Sequence, residues 1–448
     1  MRFPAAAPVR KFIVEQQTML LSSFNSLLLR IAGLGSTFLL GVVLARALGP
    51  ADYGIYGLVS SLVAVAMNII LLGTPQLAVR EMAVRSARFD WAGVRALARS
   101  FLTAASLAWL ALSILAAGGA FIFGRHNTGA PMLSLAGTML AGGMSVTALI
   151  AAELRGLGHL SRGQVMDIVV RPAAALILTG AVLIAGIGLT PSAALWIQAV
   201  VAASTATISM GWLSRAAHHG EGDRASTERL QWFKAALPLG VVDVLRVFDG
   251  AYGVILIGIL GSAIDLGIYR VAVASSVLVT MPVTILHVVM APTVSRLHRF
   301  GERRELQRLL RVTSAGMFAI LMPMLVVLVL FGRPLIDLVF GHVYGDAAMP
   351  LAILCFAQLV FGFFGMGPVL LAMAESERHL TLIYVSAVSA GVAAAAVLIP
   401  LFGAEGAAAA QVLSTGTVAL LSAQFARRRL GLGTTFLARR IGPEPSAG

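Results

Sequence analysis

The sequence predicts an all-α polytopic membrane protein with about twelve transmembrane helices, arranged in two six-helix lobes around a central cavity. Composition is the first observation: 58% of the 448 residues are hydrophobic, 12% are charged, and the mean hydropathy is +0.90. A soluble domain carries about 25% charged residues, because much of its surface faces water. The other two observations are the apolar runs and a recurrence of first-half motifs in the second half.

Twelve apolar runs have the length of about 20 residues that a helix needs to cross roughly 30 Å of hydrocarbon. Charged residues, Gly or Pro bound each run. The predicted spans are 19–47, 55–78, 98–123, 131–152, 164–187, 191–213, 235–260, 268–293, 310–331, 347–373, 379–401 and 405–426.

The basic residues lie mainly on one side of this topology. Of the 33 Lys and Arg, 26 fall at the termini and in the loops that follow even-numbered spans, and three fall inside spans. The remaining four, on the opposite side, are Arg46, Arg125, Arg270 and Arg333. The positive-inside rule therefore predicts that both termini are cytoplasmic. The outward loops are short and no soluble domain is predicted on either face, so function is expected within the membrane.

The net charge of +13 is spread over many short segments and is not gathered on one soluble domain, which argues against a nucleic-acid partner. The single cysteine, Cys355, cannot form a disulfide or a cysteine zinc cluster within one chain. We therefore expect no metal centre and no catalytic site of that kind.

An internal repeat divides the chain. Gly54-Ile55-Tyr56 recurs as Gly267-Ile268-Tyr269, and Phe123-Gly124 recurs as Phe340-Gly341. A repeat of six helices enters and leaves on the same side, which is typical of carriers with a central site between two lobes. The predicted domains are an N-terminal lobe (1–213), a linker (214–234), a C-terminal lobe (235–426) and a basic cytoplasmic tail (427–448).

Charged residues inside the spans are candidate functional groups, since each costs about 2.5 to 3.5 kcal/mol on insertion scales. Arg30 has no acidic residue in its own span, and we expect it near the middle of that span, where it could bind an anionic substrate alone or with Arg246. Either Asp243 or Asp249 could bind a coupling ion, or these groups could form a structural network between the lobes. Asp167 and Arg171, four residues apart, could simply neutralise each other.

The segment Ala45–Tyr56, followed by Leu72-Gly73 and Arg80, resembles the polysaccharide and O-antigen flippases of the multidrug/oligosaccharidyl-lipid/polysaccharide exporter superfamily. The resemblance continues through Gly267–Arg270, Ala291-Pro292 and Gly403–Ala407. It implies a flippase, not an enzyme, that moves a polyprenyl-pyrophosphate-linked oligosaccharide across the bacterial inner membrane for lipopolysaccharide, O-antigen or exopolysaccharide synthesis.

The resemblance also implies site residues and partners. In related flippases, arginines on the first, second and eighth helices bind the pyrophosphate. Arg30 and Arg270 match the first and last of these, and Arg46 is the nearest substitute for the second. Asp243 and Asp249 have a precedent in acidic ion-coupling sites, with H⁺ or Na⁺ as the ion and no other cofactor. Membrane lipids and polysaccharide polymerase or assembly proteins are the further expected partners.

Three other functions remain open from the sequence. A cation-coupled drug exporter of the same fold would favour an acidic cavity, whereas here Arg30 and Arg246 offset Asp243 and Asp249. A membrane glycosyltransferase or ligase would need a catalytic carboxylate or His on a sizeable loop. The third alternative is a scaffold of a polysaccharide assembly complex.

Overall fold

The computed structural model describes residues 7–123, 129–217, 229–373 and 377–437, and over these ranges the chain is helical with short turns. Arg125 and parts of the predicted linker and tail lie outside the described residues. The helices are α1 (Ala7–Leu71), α2 (Thr74–Ala87), α3 (Trp91–Phe123), α4 (Ala130–Gly156), α5 (Leu160–Gln164), α6 (Arg171–Ile184), α7 (Pro191–Ala216), α8 (Arg229–Leu260), α9 (Ala263–Arg299), α10 (Arg303–Phe340), α11 (Ala348–Phe364), α12 (Gly367–Met373) and α13 (Glu377–Phe425).

Twelve membrane passages can be recognised in these helices. In the described part of the chain, nine helical segments are long and apolar enough to cross a membrane, and two of them, Leu28–Leu71 and Arg378–Leu430, contain 44 and 53 residues. Each of these two is long enough for two passages and bends at a glycine, Gly49 (φ 76°) or Gly403 (φ 53°). The nine segments therefore provide eleven passages. Helix α8, which has 32 residues, is the twelfth, and the count predicted from the sequence is confirmed.

The helices differ from the predicted spans at several places, and three of these differences shape the fold. The second passage ends at Leu71 and not at 78, because Leu72 and Gly73 adopt positive φ before α2 begins with Pro75 in its first turn. Helix α10 continues to Phe340, so much of the segment expected as an outer loop is helical. The tenth passage is interrupted at Gly365 (φ 75°), between α11 and α12.

Two lobes correspond to the predicted repeat. Helices α1 to α7 form the N-terminal lobe, in which α4 packs on α7, α3 and α1. Helices α8 to α13 form the C-terminal lobe, in which α13 packs on α8 and α11, and α11 packs on α10. The lobes meet where α1 packs against α8 and α9, and where α2 packs against α8.

Contacts join the lobes at both ends of the helices. We call the end with α2 and the α9–α10 turn the basic side, and the end with the turns at Gly49, Gly341 and Gly403 the opposite side. On the opposite side, a Cβ at Gly267 would overlap the carbonyl of Pro50. On the basic side, a Cβ at Gly73 would overlap the carbonyl of Ala236. Glycine is therefore required at both of these contacts between the lobes.

The chain after α13 folds back onto the C-terminal lobe. The Gln307 side chain of α10 donates to the carbonyl of Gly433 (2.6 Å) and accepts from its N–H (2.8 Å). Ser314 donates to the carbonyl of Thr434 (2.5 Å), and Phe436 packs 5.2 Å from the ring of Phe318. Residues 431–437 thus form a strap that covers the break between α11 and α12.

Candidate substrate site between the lobes

A cavity of about 340 Å³ lies between the lobes. Both halves of α1, together with α4, α6 and α7, supply the N-terminal wall, and α9 supplies the C-terminal wall. Its volume is about that of eleven molecules of liquid water. Most of the lining is apolar, and the polar side chains that reach it are Thr37, Tyr53, Tyr56, Ser60, Arg171, Gln198 and Arg270.

Arg270 enters the cavity from the C-terminal lobe. It lies seven residues after the start of α9, about 10 Å along the helix axis. Its stem runs against Gly57 of α1, where a Cβ would lie 2.7 Å from Cγ of the arginine. The side chain interacts with the phenol of Tyr53, while its buried Nε has no hydrogen-bond acceptor. Gly57 thus makes room for a guanidinium group that retains an unused donor.

Arg171 enters the same cavity from the N-terminal lobe. It follows a π-helical turn, Val165–Val170, and precedes Pro172, which cannot donate the N–H that a regular helix needs. Its Nε lies 3.5 Å from the carboxylate of Asp167, without hydrogen-bond geometry, and has no acceptor. The predicted pair with Asp167 is therefore present, yet Arg171 also faces the cavity. The sequence analysis did not identify this second role.

Arg30 lies nearer the basic side than the cavity does. It is half-buried, its buried Nε has no acceptor, and it is close enough to Arg155 for the two charges to repel. Arg155 is one residue from the basic-side end of α4, and Asp167 attracts it. Neither Arg30 nor Arg246 lines the cavity.

An aromatic and amide wall completes the cavity. The rings of Tyr53 and Tyr56 are stacked with centroids 5.9 Å apart, and Gln198 donates to the Tyr56 hydroxyl at 2.6 Å. Sequence reasoning used both tyrosines only as repeat and family markers and missed Gln198. The sequence offers only a weak indication that these three residues line a cavity, because a tyrosine beside a turn and a lone glutamine in an apolar span are common.

Arg46 is located on the opposite side, outside the cavity. Its Nε donates to the carbonyl of Val339 at 2.8 Å, and its Nη2 donates to that of Leu338 at 2.6 Å. These are carbonyls of the last turn of α10, which lack partners within the helix. Nearby, the Tyr344 hydroxyl donates to the carbonyl of Ala45 at 2.8 Å. Arg46 therefore joins the two lobes.

Asp243 and Arg246 form a pair on α8. Arg246 donates to Asp243 at 3.0 Å, and Gln76 of α2 donates to the other carboxylate oxygen. The Arg246 side chain is 64% exposed, whereas that of Asp243 is 19% exposed. Because α2 belongs to the other lobe, Asp243 lies in a polar contact between the lobes on the basic side.

Asp249, two turns further along α8, faces α13 within its own lobe. It accepts hydrogen bonds from Ser414 and from Gln411, the latter at 3.3 Å. No ion pair with a basic residue is found for Asp249 in the described chain. A half-buried carboxylate held by neutral donors is chemically suited to bind a proton or a small cation. Within the described residues there is no cluster of three or more His, Cys, Asp and Glu that could hold a metal ion.

Known structures share this fold. An inward-facing multidrug resistance transporter of the MATE family, MOP superfamily, matches with a TM-score of 0.73 and 14% identity, covering 90% of this chain and 98% of that one. Lipid II flippase MurJ in an inward closed conformation gives a TM-score of 0.72 and 12% identity over 91% of this chain and 87% of that one. A mutant of the Vibrio cholerae MATE transporter VcmN matches with a TM-score of 0.65 and 14% identity, covering 92% of this chain and 97% of that one. No curated protein sequence matches the chain.

The sequence itself also matches a family. The family model described as "Polysaccharide biosynthesis protein" covers residues 43–349, which include Arg46, Arg171, Arg246 and Arg270. The predicted fold agrees with these solved structures, whose printed names are those of transporters and a flippase. The chain is a multi-pass membrane protein with the fold of these MATE and MurJ structures, and it belongs to the family described as polysaccharide biosynthesis protein.

Proposed function

We propose that the protein is a flippase that moves a polyprenyl-pyrophosphate-linked oligosaccharide across the bacterial inner membrane for cell-surface polysaccharide synthesis. The observation that carries this proposal is the pair Arg171 and Arg270. Two guanidinium groups from different lobes line one cavity at membrane depth, and each retains a buried Nε–H without an acceptor. Buried donors of this kind strongly favour an anionic acceptor, because leaving them unpaired costs about 1–3 kcal/mol each.

A pyrophosphate fits this requirement better than a cationic drug would. Its oxygens accept in the fork geometry that a guanidinium presents. Tyr53, Tyr56 and Gln198 offer the stacking surface and the hydrogen-bonding groups that suit a sugar. The cavity of about 340 Å³ is too small for a whole oligosaccharide, so the remaining sugars extend beyond it.

Arg30 and Arg155 support a route for the anion from the basic side, which we assign to the cytoplasm. Both lie between that side and the cavity, and Asp167 links Arg155 electrostatically to Arg171. A pyrophosphate headgroup could first be attracted by Arg30 and then transferred to Arg171 and Arg270. In this scheme Arg46 and Arg246 act mainly at the lobe contacts.

Alternating access requires the two lobe contacts to open in turn. Opening on the basic side would separate Gln76 from Asp243, and opening on the opposite side would break the bonds of Arg46 and of Tyr344. Asp249 is our candidate for coupling to H⁺ or Na⁺, because Ser414 and Gln411 of α13 would sense its charge. A polysaccharide polymerase is a reasonable partner on the receiving side.

The test is a binding measurement with a polyprenyl-pyrophosphate sugar and an uncharged analogue of the same lipid. Wild type should prefer the charged ligand, and Arg270→Ala or Arg171→Ala should weaken its binding by about tenfold or more. Arg270→Lys should restore binding only in part, since an ammonium group lacks the fork. Arg30→Ala should act in the same direction, with a smaller effect.

Arg333→Ala serves as the matched control, because Arg333 lies on the opposite side with a 71% exposed side chain. Thermal stability of each variant must be followed in parallel. If stable Arg270→Ala and Arg171→Ala proteins still discriminate between the two ligands as well as wild type does, the proposed pyrophosphate site is wrong.

A further inference from the structure

A second pocket, distinct from the cavity between the lobes, lies within the N-terminal lobe on the basic side. Its volume is about 700 Å³, and it is formed by the ends of three helices. Trp91 begins α3, Arg162 belongs to α5, and Trp212 and Arg215 lie one turn apart near the end of α7. His159 and Ala216 complete the lining.

No charge among the described residues compensates the two arginines of this pocket. Arg162 and Arg215 are exposed, and neither forms a hydrogen bond or ion pair with any residue that the structure describes. Asp90, which precedes Trp91 in the sequence, is already engaged by Arg85 at 3.4 Å and by the N–H of Gly93 at 3.0 Å. The lining residues include no acidic side chain.

Local structure keeps the pocket in shape. After α4, Gly158 adopts φ 86°, and the N–H of His159 donates to the carbonyl of Leu154 at 2.9 Å, which directs the chain into α5. Arg95 of α3 donates to the carbonyl of Ala217 at 3.3 Å and so ties α3 to the end of α7. The two half-buried indoles are therefore carried on helices that are held together.

The composition of the lining indicates the kind of ligand. Guanidinium groups bind phosphate oxygens, and indoles lie preferentially at the boundary between lipid headgroups and acyl chains. Basic pockets between transmembrane helices bind anionic lipid headgroups. A soluble anion would use the arginines but would gain nothing from two tryptophans.

We propose that the pocket formed by Trp91, His159, Arg162, Trp212 and Arg215 binds the phosphate headgroup of an anionic phospholipid from the leaflet on the basic side. Arg162 and Arg215 contact the phosphate, and the indoles pack against the glycerol and upper acyl region. This inference does not depend on the transported substrate, because the pocket is separate from Arg171 and Arg270.

The test is a titration of the purified full-length protein with phosphatidylglycerol, followed by native mass spectrometry. Wild type should retain phosphatidylglycerol in preference to phosphatidylcholine, and Arg162→Gln/Arg215→Gln should reduce its affinity by at least about tenfold. Arg303→Gln/Arg304→Gln is the matched control. Both residues are exposed on α10, and the double substitution removes the same charge from the same side of the protein. The control protein should bind as wild type does.

Three results would overturn the proposal. Equal loss in the control would mean that only the general surface potential attracts the lipid. Equal binding of phosphatidylcholine would mean that the arginines select nothing, and full displacement by inorganic phosphate would indicate a site for soluble anions. If the double variant is unstable, Arg162→Lys and Trp212→Ala replace it, and each should give an intermediate affinity in a folded protein.

Discussion

The guanidinium of Arg46 and the carbonyl of Leu338 are joined at 2.6 Å, across the boundary between the lobes. Arg46 ends the first half of α1, and Leu338 lies in the last turn of α10. The bond therefore uses a carbonyl that α10 cannot satisfy internally and converts it into a contact that holds the opposite side closed.

Arg46→Ala should shift the protein toward a state that is open on the opposite side. Hydrogen bonds to charged groups contribute about 1.5–3 kcal/mol, and at this exposed position the lower value implies a shift of about tenfold. The measurement is the rate at which an impermeant maleimide added from the opposite side labels Thr37→Cys in the cavity. Cys355, which is fully buried, contributes little background. Arg333→Ala should leave the rate unchanged, and an equal increase there would contradict the role of Arg46.

Gly33→Ala should lower the stability of the N-terminal lobe by about 1–3 kcal/mol. A Cβ at Gly33 would overlap the carbonyl of Ile168, which lies in the π-helical turn four residues before Pro172. Gly35→Ala is the control on the same helix, because no atom lies within 4 Å of its added Cβ. Since Ala favours helix, Gly35→Ala should keep or raise the melting temperature. Equal melting temperatures for both variants would argue against the close contact.

Asp249→Asn should abolish the dependence of transport on H⁺ or Na⁺, whereas Asp243→Asn should leave that dependence in place. Asp249 is held by the neutral donors Ser414 and Gln411, but Asp243 is paired with Arg246. Transport into vesicles with and without each ion gradient measures the difference. Loss of ion dependence in Asp243→Asn alone would reverse the assignment.

Gln307→Ala should release the strap of residues 431–437. The substitution removes two hydrogen bonds to Gly433 in a buried setting, and we expect a loss of about 2 kcal/mol of stability. Limited proteolysis after Leu430, together with the melting temperature, would report the release. The exposed neighbour Arg308 provides the control variant, and similar cleavage of Arg308→Ala would show that the effect is not specific.

Reporters fused after Arg88 and Arg303 should be cytoplasmic, and a reporter at Tyr344 should be external. The expectation rests on the excess of arginine at the basic side. Fusions to alkaline phosphatase and to green fluorescent protein distinguish the two sides. An external reporter at Arg303 would invalidate the assignment of the basic side to the cytoplasm.

The sequence was sufficient to predict the twelve passages and the two lobes. The length of each apolar run and the recurrence of short motifs can both be read from the sequence directly. It could not predict which charges would meet. Asp167 and Arg171 look like a self-contained pair at four-residue spacing, but the π-helical turn before Pro172 leaves Arg171 facing the cavity. The neighbourhood of Arg30 and Arg155 could not be predicted either, because the two residues lie on helices far apart in the sequence. Such placements depend on packing between helices distant in sequence.

The bend at Gly49 divides α1 into two helical arms, one before and one after this residue. On the first arm, a Cβ added at Gly41 would lie 4.0 Å from the methyl group of Ala274 in α9. On the second arm, Gly54 packs against the start of α9. With φ 76° and ψ 173°, Gly49 occupies a backbone conformation that is essentially restricted to glycine. Both arms hold the same helix of the other lobe, so a rotation about this one residue would change the width of the cavity and the tightness of the opposite-side contact together. The two quantities are therefore mechanically coupled, and a substitution at Gly49 would disturb both, whereas a substitution on either arm would disturb one.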